Sequence, residues 1–219
     1  PDLPGCNESM VPLAEQTLEG WRSTMAAAAG ALRATHVLAI RAGALVAPEG
    51  LPGWHYAAQS GPKLLRGMIR ARTIAAREAG GPALAFQLLI YPATDMRRTA
   101  PSHRTNGQGY LLTSDSIAYY HDHYIADAAQ DLDWRASPLL HENLAGLPPA
   151  FVLTAGYDPL RDEGLQYAQR LTDAGNRAAL VCFERQIHGF APMGKFIDEA
   201  NVAVQLCAGQ LRQALRLGA

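Results

Sequence analysis

The chain has 219 residues, 48% of them hydrophobic and 18% charged, enough length for one substantial buried core but hardly for two. Its 19 Lys and Arg against 20 Asp and Glu give a net charge of -1 and a pI near 6.8, so no basic field exists to hold a phosphate backbone, and nucleic acid is not an expected partner. No apolar run reaches the roughly 20 residues of a membrane helix, and PDLPGCNESM lacks the basic start and apolar core of a signal peptide, so a soluble cytoplasmic protein without membrane association is expected.

In chain order, the Ala-rich stretch from Leu13 to Leu32 reads as a helix despite Gly20 and Gly30. Val37 to Val46 reads as a strand interrupted by Arg41 and Gly43. Ala47 to Pro62 holds three prolines and three glycines and reads as a loop. Lys63 to Ala79 reads as a helix, with Leu64, Met68, Ala71 and Ala75 on one face.

Beyond Gly80-Gly81 the pattern sharpens. Three short apolar runs follow: Ala85 to Tyr91 closed by Pro92, Ala150 to Gly156 opened by Pro148-Pro149, and Ala178 to Phe183. Such runs predict strands buried on both faces. Between the first two lies an irregular excursion from Pro92 to Pro148, with a helix expected from Ser114 to Tyr124. Excursions of this length in α/β proteins carry lids or pocket walls. Leu160 to Ala174 reads as a helix, with Leu165, Ala168 and Leu171 at helical spacing and Gly175 as a stop. A last helix runs to the end with Ile197, Val204, Leu211 and Leu215 on one stripe. Strands separated by helices predict an α/β fold, a mostly parallel sheet with helices on both faces.

In an open parallel sheet, ligands bind beyond the carboxyl ends of the strands. Asp158 follows one predicted strand in GYDPL, and His188 follows the next in QIHGF. An acid and a histidine on loops at one sheet edge suit an orienting carboxylate and a general base, because the acid fixes the imidazole tautomer and stabilises the imidazolium. Their order, acid before histidine, is that of α/β-hydrolases. Each residue also has a plainer reading: Asp before Pro is a common N-cap or turn former, and a lone loop histidine is commonly structural.

Several separate segments strengthen the first reading: GGPALAFQLLIYPATD, NGQGYLLTSDS, DWRASPLLHENLAGLPPAFVLTAGYDPLRDEG and IHGF. In this order and spacing they resemble the hormone-sensitive lipase-like family of α/β-hydrolases, bacterial carboxylesterases that act on short acyl esters. The resemblance covers residues 80–219 and implies an α/β-hydrolase fold and a single domain over residues 1–219, with 1–79 as its divergent part. It implies a carboxylic ester hydrolase using a Ser-His-Asp mechanism on small-molecule acyl esters, with Asp158 and His188 as two members of the triad and no cofactor. Family members pair through the sheet edge and last helix, so the resemblance also implies a homodimer. Asp162 and Glu163 fall in the first turn of the next helix, where negative charge suits the macrodipole, and read as structural.

The family's G-D-S-A-G-G nucleophile elbow and H-G-G-G oxyanion segment do not occur in this sequence. Upstream, Ala47-Pro48-Glu49 resembles the family's L-A-P-E, and Arg70 through Gly81 resembles the helix after the elbow. Ser60, in AQSGP, stands closest to the nucleophile's place, with Ala58 small enough for the position two before it. Pro62 replaces the expected glycine two after, and no β-branched or apolar strand leads in. The alternative reading is therefore a catalytically inactive or truncated hydrolase-fold protein lacking the elbow and oxyanion hole. With Pro as its first residue, the chain is expected to be processed or incomplete in its N-terminal part, and a frameshift or deletion upstream of Gly80 would give the same pattern.

Other candidates are weaker. Tyr120-His121-Asp122-His123-Tyr124 holds two imidazoles and a carboxylate, but residues two apart on a helix face different sides, so no metal site is expected. Cys6, Cys182 and Cys207 are few, odd in number and far apart, fitting neither a disulfide framework nor a zinc site. Cys182 lies within a predicted strand and reads as inert packing. Trp21, Trp54 and Trp134 follow no stacking pattern.

Overall fold

In a computed structural model of the chain, residues 37–40, 54–57, 72–80, 84–125 and 127–216 are described. Strands β1 (Val37–Ile40) and β2 (Trp54–Ala57) pair in parallel. Helix α1 (Arg72–Glu78) precedes β3 (Gln87–Ile90). The excursion after β3 carries α2 (Pro101–Thr105), α3 (Ser114–Tyr124) and two 3-10 turns, Ala128–Leu132 and Pro138–Leu140. Then come β4 (Ala150–Tyr157), α4 (Arg161–Asp173), β5 (Ala178–Ile187) and α5 (Asp198–Arg216).

β3, β4 and β5 form a parallel sheet in that order, with β4 central. Side chains of β4 divide between two cores on opposite faces of the sheet, as the strand period of two requires. Phe151, Leu153 and Ala155 join Tyr91, Phe190 and the α5 residues Ala200, Ala203 and Cys207. Ala150 joins Ile74 of α1, Tyr167 and Leu171 of α4, and Leu139, Leu144 and Leu147 of the excursion. Helices therefore cover both faces, and every β4 side chain up to Ala155 is buried. This is the α/β arrangement expected from the apolar runs.

The expected helix from Ser114 to Tyr124 is found with those bounds, its N-terminus capped by the Thr113 hydroxyl, which accepts from Ser116 N at 3.2 Å. Four expectations are corrected. The stretch from Ala47 to Pro62 is not all loop, since β2 lies within it; its Trp-His-Tyr core favours extended backbone, but the surrounding Pro and Gly hid so short a strand. β5 extends four residues beyond Phe183 and is exposed at Ala179, Leu180, Glu184 and Arg185, because among the described residues it has a neighbour strand on one side alone. The last helix buries Ala200, Ala203 and Cys207 beside Ile197, while Val204 of the expected stripe is exposed; small side chains let the helix lie close to the sheet. The Pro92 to Pro148 excursion holds more regular structure than one helix.

The expected helix over Leu13 to Leu32, the Ala47-Pro48-Glu49 segment, Ser60, Trp21 and Cys6 lie outside the described residues. Among the described residues, no helix is long and apolar enough to cross a membrane.

Candidate active site

β4 and β5 run in parallel, so their carboxyl ends deliver two loops to the same edge of the sheet. The register slips between Ala155 and Tyr157, and the strands come so close there that a Cβ on Gly156 would lie 1.9 Å from the Glu184 carbonyl oxygen. Only glycine fits, and the slip turns the chain out of the sheet into Asp158. At the end of β5, Gly189 takes φ +82°, a left-handed conformation natural to glycine, and folds the chain back directly after His188.

These two turns bring Asp158 and His188 together. Asp158 Oδ2 lies 2.8 Å from His188 Nδ1, with Asp158 fully buried and His188 9% exposed. The other oxygen, Oδ1, accepts the Leu160 backbone N–H at 2.8 Å. Asp158 is thus both the turn former and the imidazole's partner, one oxygen serving each role. With Nδ1 donating to the carboxylate, the neutral ring keeps its lone pair on Nε2. That is the state a general base needs, and a positive charge arriving on the ring would be met by the buried carboxylate.

The turn at Asp158 is braced from the excursion. Asn106 donates from Nδ2 to the carbonyls of Gly156 at 3.1 Å and Asp158 at 3.2 Å. Ser102 Oγ donates to the Pro159 carbonyl at 2.7 Å, and Asp162 Oδ2 accepts the Ser102 N–H at 2.9 Å. Glu163 is fully buried below, its Oε1 accepting from Thr94 N at 2.6 Å and Asp95 N at 3.2 Å, its Oε2 2.7 Å from His103 Nε2. Burial pushes the Glu163 carboxyl above its usual range, against the opposing pull of His103 and the two N–H donors. Asp162 and Glu163 lie in the first turn of α4, but the backbone N–H groups their carboxylates accept from belong to the excursion, at Ser102, Thr94 and Asp95.

On the other side, Tyr91 follows β3 with φ 44°, which for a bulky residue costs about 1–3 kcal/mol. Its ring centroid lies 5.0 Å from that of His188.

The other candidates among the described residues do not join this site. His121 bonds Asp131 at 2.7 Å and Asp122 at 3.2 Å, while His123 Nδ1 reaches the Tyr119 carbonyl at 2.7 Å, so the two imidazoles are engaged separately. Among the described residues, no three His, Cys, Asp or Glu side chains are grouped to hold a metal ion. Cys182 is half-buried in β5. Trp134 stands edge-on to His141, 4.8 Å between centroids. The sequence does not single out Asn106, Tyr91 or His103, although NGQGY and IYP are within the segments that carry the resemblance, and Glu163 is marked in it only by its helix position.

Residues 67–192 match the family described as alpha/beta hydrolase fold, more than half of the chain. The chain belongs to that family. The chain resembles the carboxylic ester hydrolase LipN of Mycobacterium tuberculosis, 45% identical over 116 residues that make up 52% of this chain and 31% of the relative. It resembles the ethyl acetate hydrolase of Pseudomonas putida, 37% identical over 148 residues, 67% of this chain and 46% of that enzyme. The chain therefore spans less than half the length of these curated relatives. Among solved structures, a thermophilic carboxylesterase cloned from a metagenomic library superposes with a TM-score of 0.66 at 34% identity, covering 74% of this chain and 55% of that one.

Proposed function

We propose that this chain acts as a single α/β-hydrolase domain that cleaves small carboxylic esters, with His188 as general base and Asp158 as its orienting carboxylate. The observation that carries the reading is the 2.8 Å contact between a fully buried Asp158 and His188 at the carboxyl edge of the sheet. It is supported by relatives named as carboxylic ester and ethyl acetate hydrolases. Ser60 is the proposed nucleophile, and β2 ends shortly before it.

The chemistry follows from the imidazole's tautomer. His188 Nε2 takes the proton of the serine hydroxyl as Oγ attacks the ester carbonyl carbon. The imidazolium is held by Asp158 and returns its proton to the departing alkoxide, leaving an acyl-serine and a free alcohol. Water then attacks the acyl carbonyl carbon and gives a proton to Nε2, and the imidazolium passes it to the departing serine Oγ, releasing the carboxylic acid and restoring the serine and the neutral imidazole. No cofactor enters this sequence of steps.

The lack of G-D-S-A-G-G and H-G-G-G in the sequence favours a second reading, a hydrolase-fold protein without turnover. One experiment separates the two. The chain is incubated with a fluorophosphonate probe and mapped by peptide sequencing, and hydrolysis of p-nitrophenyl butyrate is measured beside His188→Ala. A single labelled serine and turnover lost in His188→Ala are expected. No label and no turnover would establish the second reading, and label on a serine other than Ser60 would remove Ser60 alone.

A further inference from the structure

We infer that Tyr91 is a positioning residue for His188, holding the loop that carries the imidazole from two points, its ring and its hydroxyl. The inference rests on the ester-hydrolase reading for its kinetic consequence but not for its geometry.

Tyr91 does not neighbour His188 in the sheet. It emerges from β3, while His188 emerges from β5, and β4 lies between them. The side chain reaches across the end of β4, and it does so from a backbone conformation that tyrosine rarely adopts, φ 44°. Pro92 directly after it disfavours the ordinary helical conformation at Tyr91, which leaves few ways of turning the chain here. Strain of this kind persists where the surroundings over-determine the residue, and Tyr91 is 2% exposed.

Its surroundings are the turn from His188 to Ala191. The phenol oxygen accepts the Ala191 backbone N–H at 2.8 Å, a bond between residues 100 apart in sequence. The ring lies 5.0 Å from the His188 ring at 51° and 5.8 Å from the Phe190 ring at 55°. Phe190 is itself fully buried and also meets Phe183 of β5 at 5.1 Å. A single residue therefore touches the imidazole, the aromatic anchor two residues later, and the backbone after that. Asp158 fixes the imidazole along one direction, through Nδ1. A hydrogen bond to one ring nitrogen does not by itself set the ring's tilt or the loop's position, and the tilted Tyr91 ring together with its hydroxyl bond to Ala191 constrains both. Catalytic groups must be held to within about 0.5 Å of productive geometry, and such precision comes from packing by neighbouring side chains.

The test compares wild type with Tyr91→Phe, which deletes the hydroxyl and keeps the ring, and Tyr91→Leu, which deletes both. Two quantities are read on each: exchange of the His188 Nδ1 proton with water, by nitrogen-15 NMR, and kcat and KM for p-nitrophenyl butyrate. In Tyr91→Phe, proton exchange should quicken about tenfold and kcat fall about tenfold with KM unchanged, the equivalent of one hydrogen bond. Tyr91→Leu should show larger effects in the same direction. Amide exchange in the middle of β4 should stay at the wild-type rate in Tyr91→Phe. Wild-type imidazole exchange in Tyr91→Phe would overturn the inference, as would a change matched by equally faster amide exchange in β4, which would mean general loosening. Should the wild type show no ester turnover, the ester-hydrolase reading fails, and the imidazole exchange rates alone decide the role of Tyr91.

Discussion

Asp158→Asn tests the dyad without emptying its site, because the side chain keeps its size and changes one acceptor into a donor. The carboxylate now accepts from Leu160 N through Oδ1 and meets His188 Nδ1 through Oδ2, each at 2.8 Å. An asparagine has two ways to sit there. With its oxygen toward Leu160, its NH2 faces His188 Nδ1, which must become the acceptor, so the ring proton moves to Nε2. That is the atom required to accept the serine proton, and the base is disabled. With the amide flipped, the NH2 faces the Leu160 N–H, and a buried donor pair without an acceptor costs about 1–3 kcal/mol. The first arrangement is the cheaper, so stability should fall by only about 1 kcal/mol, whereas kcat should fall by about 10,000-fold, or ~5.4 kcal/mol at ~1.36 kcal/mol per decade. The imidazolium also loses its buried counter-charge, which acts in the same direction. Steady-state hydrolysis of p-nitrophenyl butyrate, the rate of fluorophosphonate labelling and a urea titration measure the three quantities. A variant within about tenfold of the wild-type rate would refute the claim that this carboxylate sets the imidazole's tautomer.

Three other outcomes are expected. Gly156→Ala sets a methyl 1.9 Å from the Glu184 carbonyl, so the β4–β5 ends must part; a loss of about 1–3 kcal/mol or more should appear as a lower urea midpoint, and a wild-type midpoint would contradict that close approach. Glu163 has a carboxyl raised by burial, so the folded state holds its proton to higher pH than the unfolded chain does; stability should fall as pH rises from the ordinary carboxylate range through the raised folded value, and Glu163→Gln should flatten that slope in urea midpoints taken across pH. Burial pushes the Cys207 thiol up to about 11, leaving about one thiolate in 10,000 at pH 7, so a disulfide reagent should modify it only when the chain is unfolded; fast reaction in native buffer would show that the packing of α5 against the sheet does not cover it.

The central sheet was legible because β3 and β4 are mostly apolar, Gln87 and Thr154 being the polar residues in them, and are bounded by proline or glycine, a pattern with few alternatives. β5 was legible in its first half only. Its continuation, Glu184-Arg185-Gln186, is polar where, among the described residues, no strand pairs on its other side, and polarity at an edge looks like the start of a loop. β2 was missed because four residues between Pro-Gly and Gly-Pro clusters are too few to show a period. The buried stripe of α5 is faint in the sequence because Ala and Cys mark a face less strongly than larger apolar residues do. The helix instead buries its small residues against Phe151 and Leu153 of β4, which already fill the space.

Asp158 and His188 could be read from the sequence by themselves, since each follows a recognisable strand and parallel strands end at one edge. Order along the chain determined that much, because the carboxyl end of a parallel strand is a position in sequence as well as in space. Which side chains hold the pair was decided only by the tertiary structure. Asn106 is 52 residues from the Asp158 carbonyl it binds, and Tyr91 is 100 residues from the Ala191 N–H it accepts. Their roles depend on a helix docked against a turn and on a ring reaching over the end of β4, contacts between segments whose local patterns carry no trace of each other. A strand announces itself through its own hydrophobicity, whereas a brace exists only once its two ends have met.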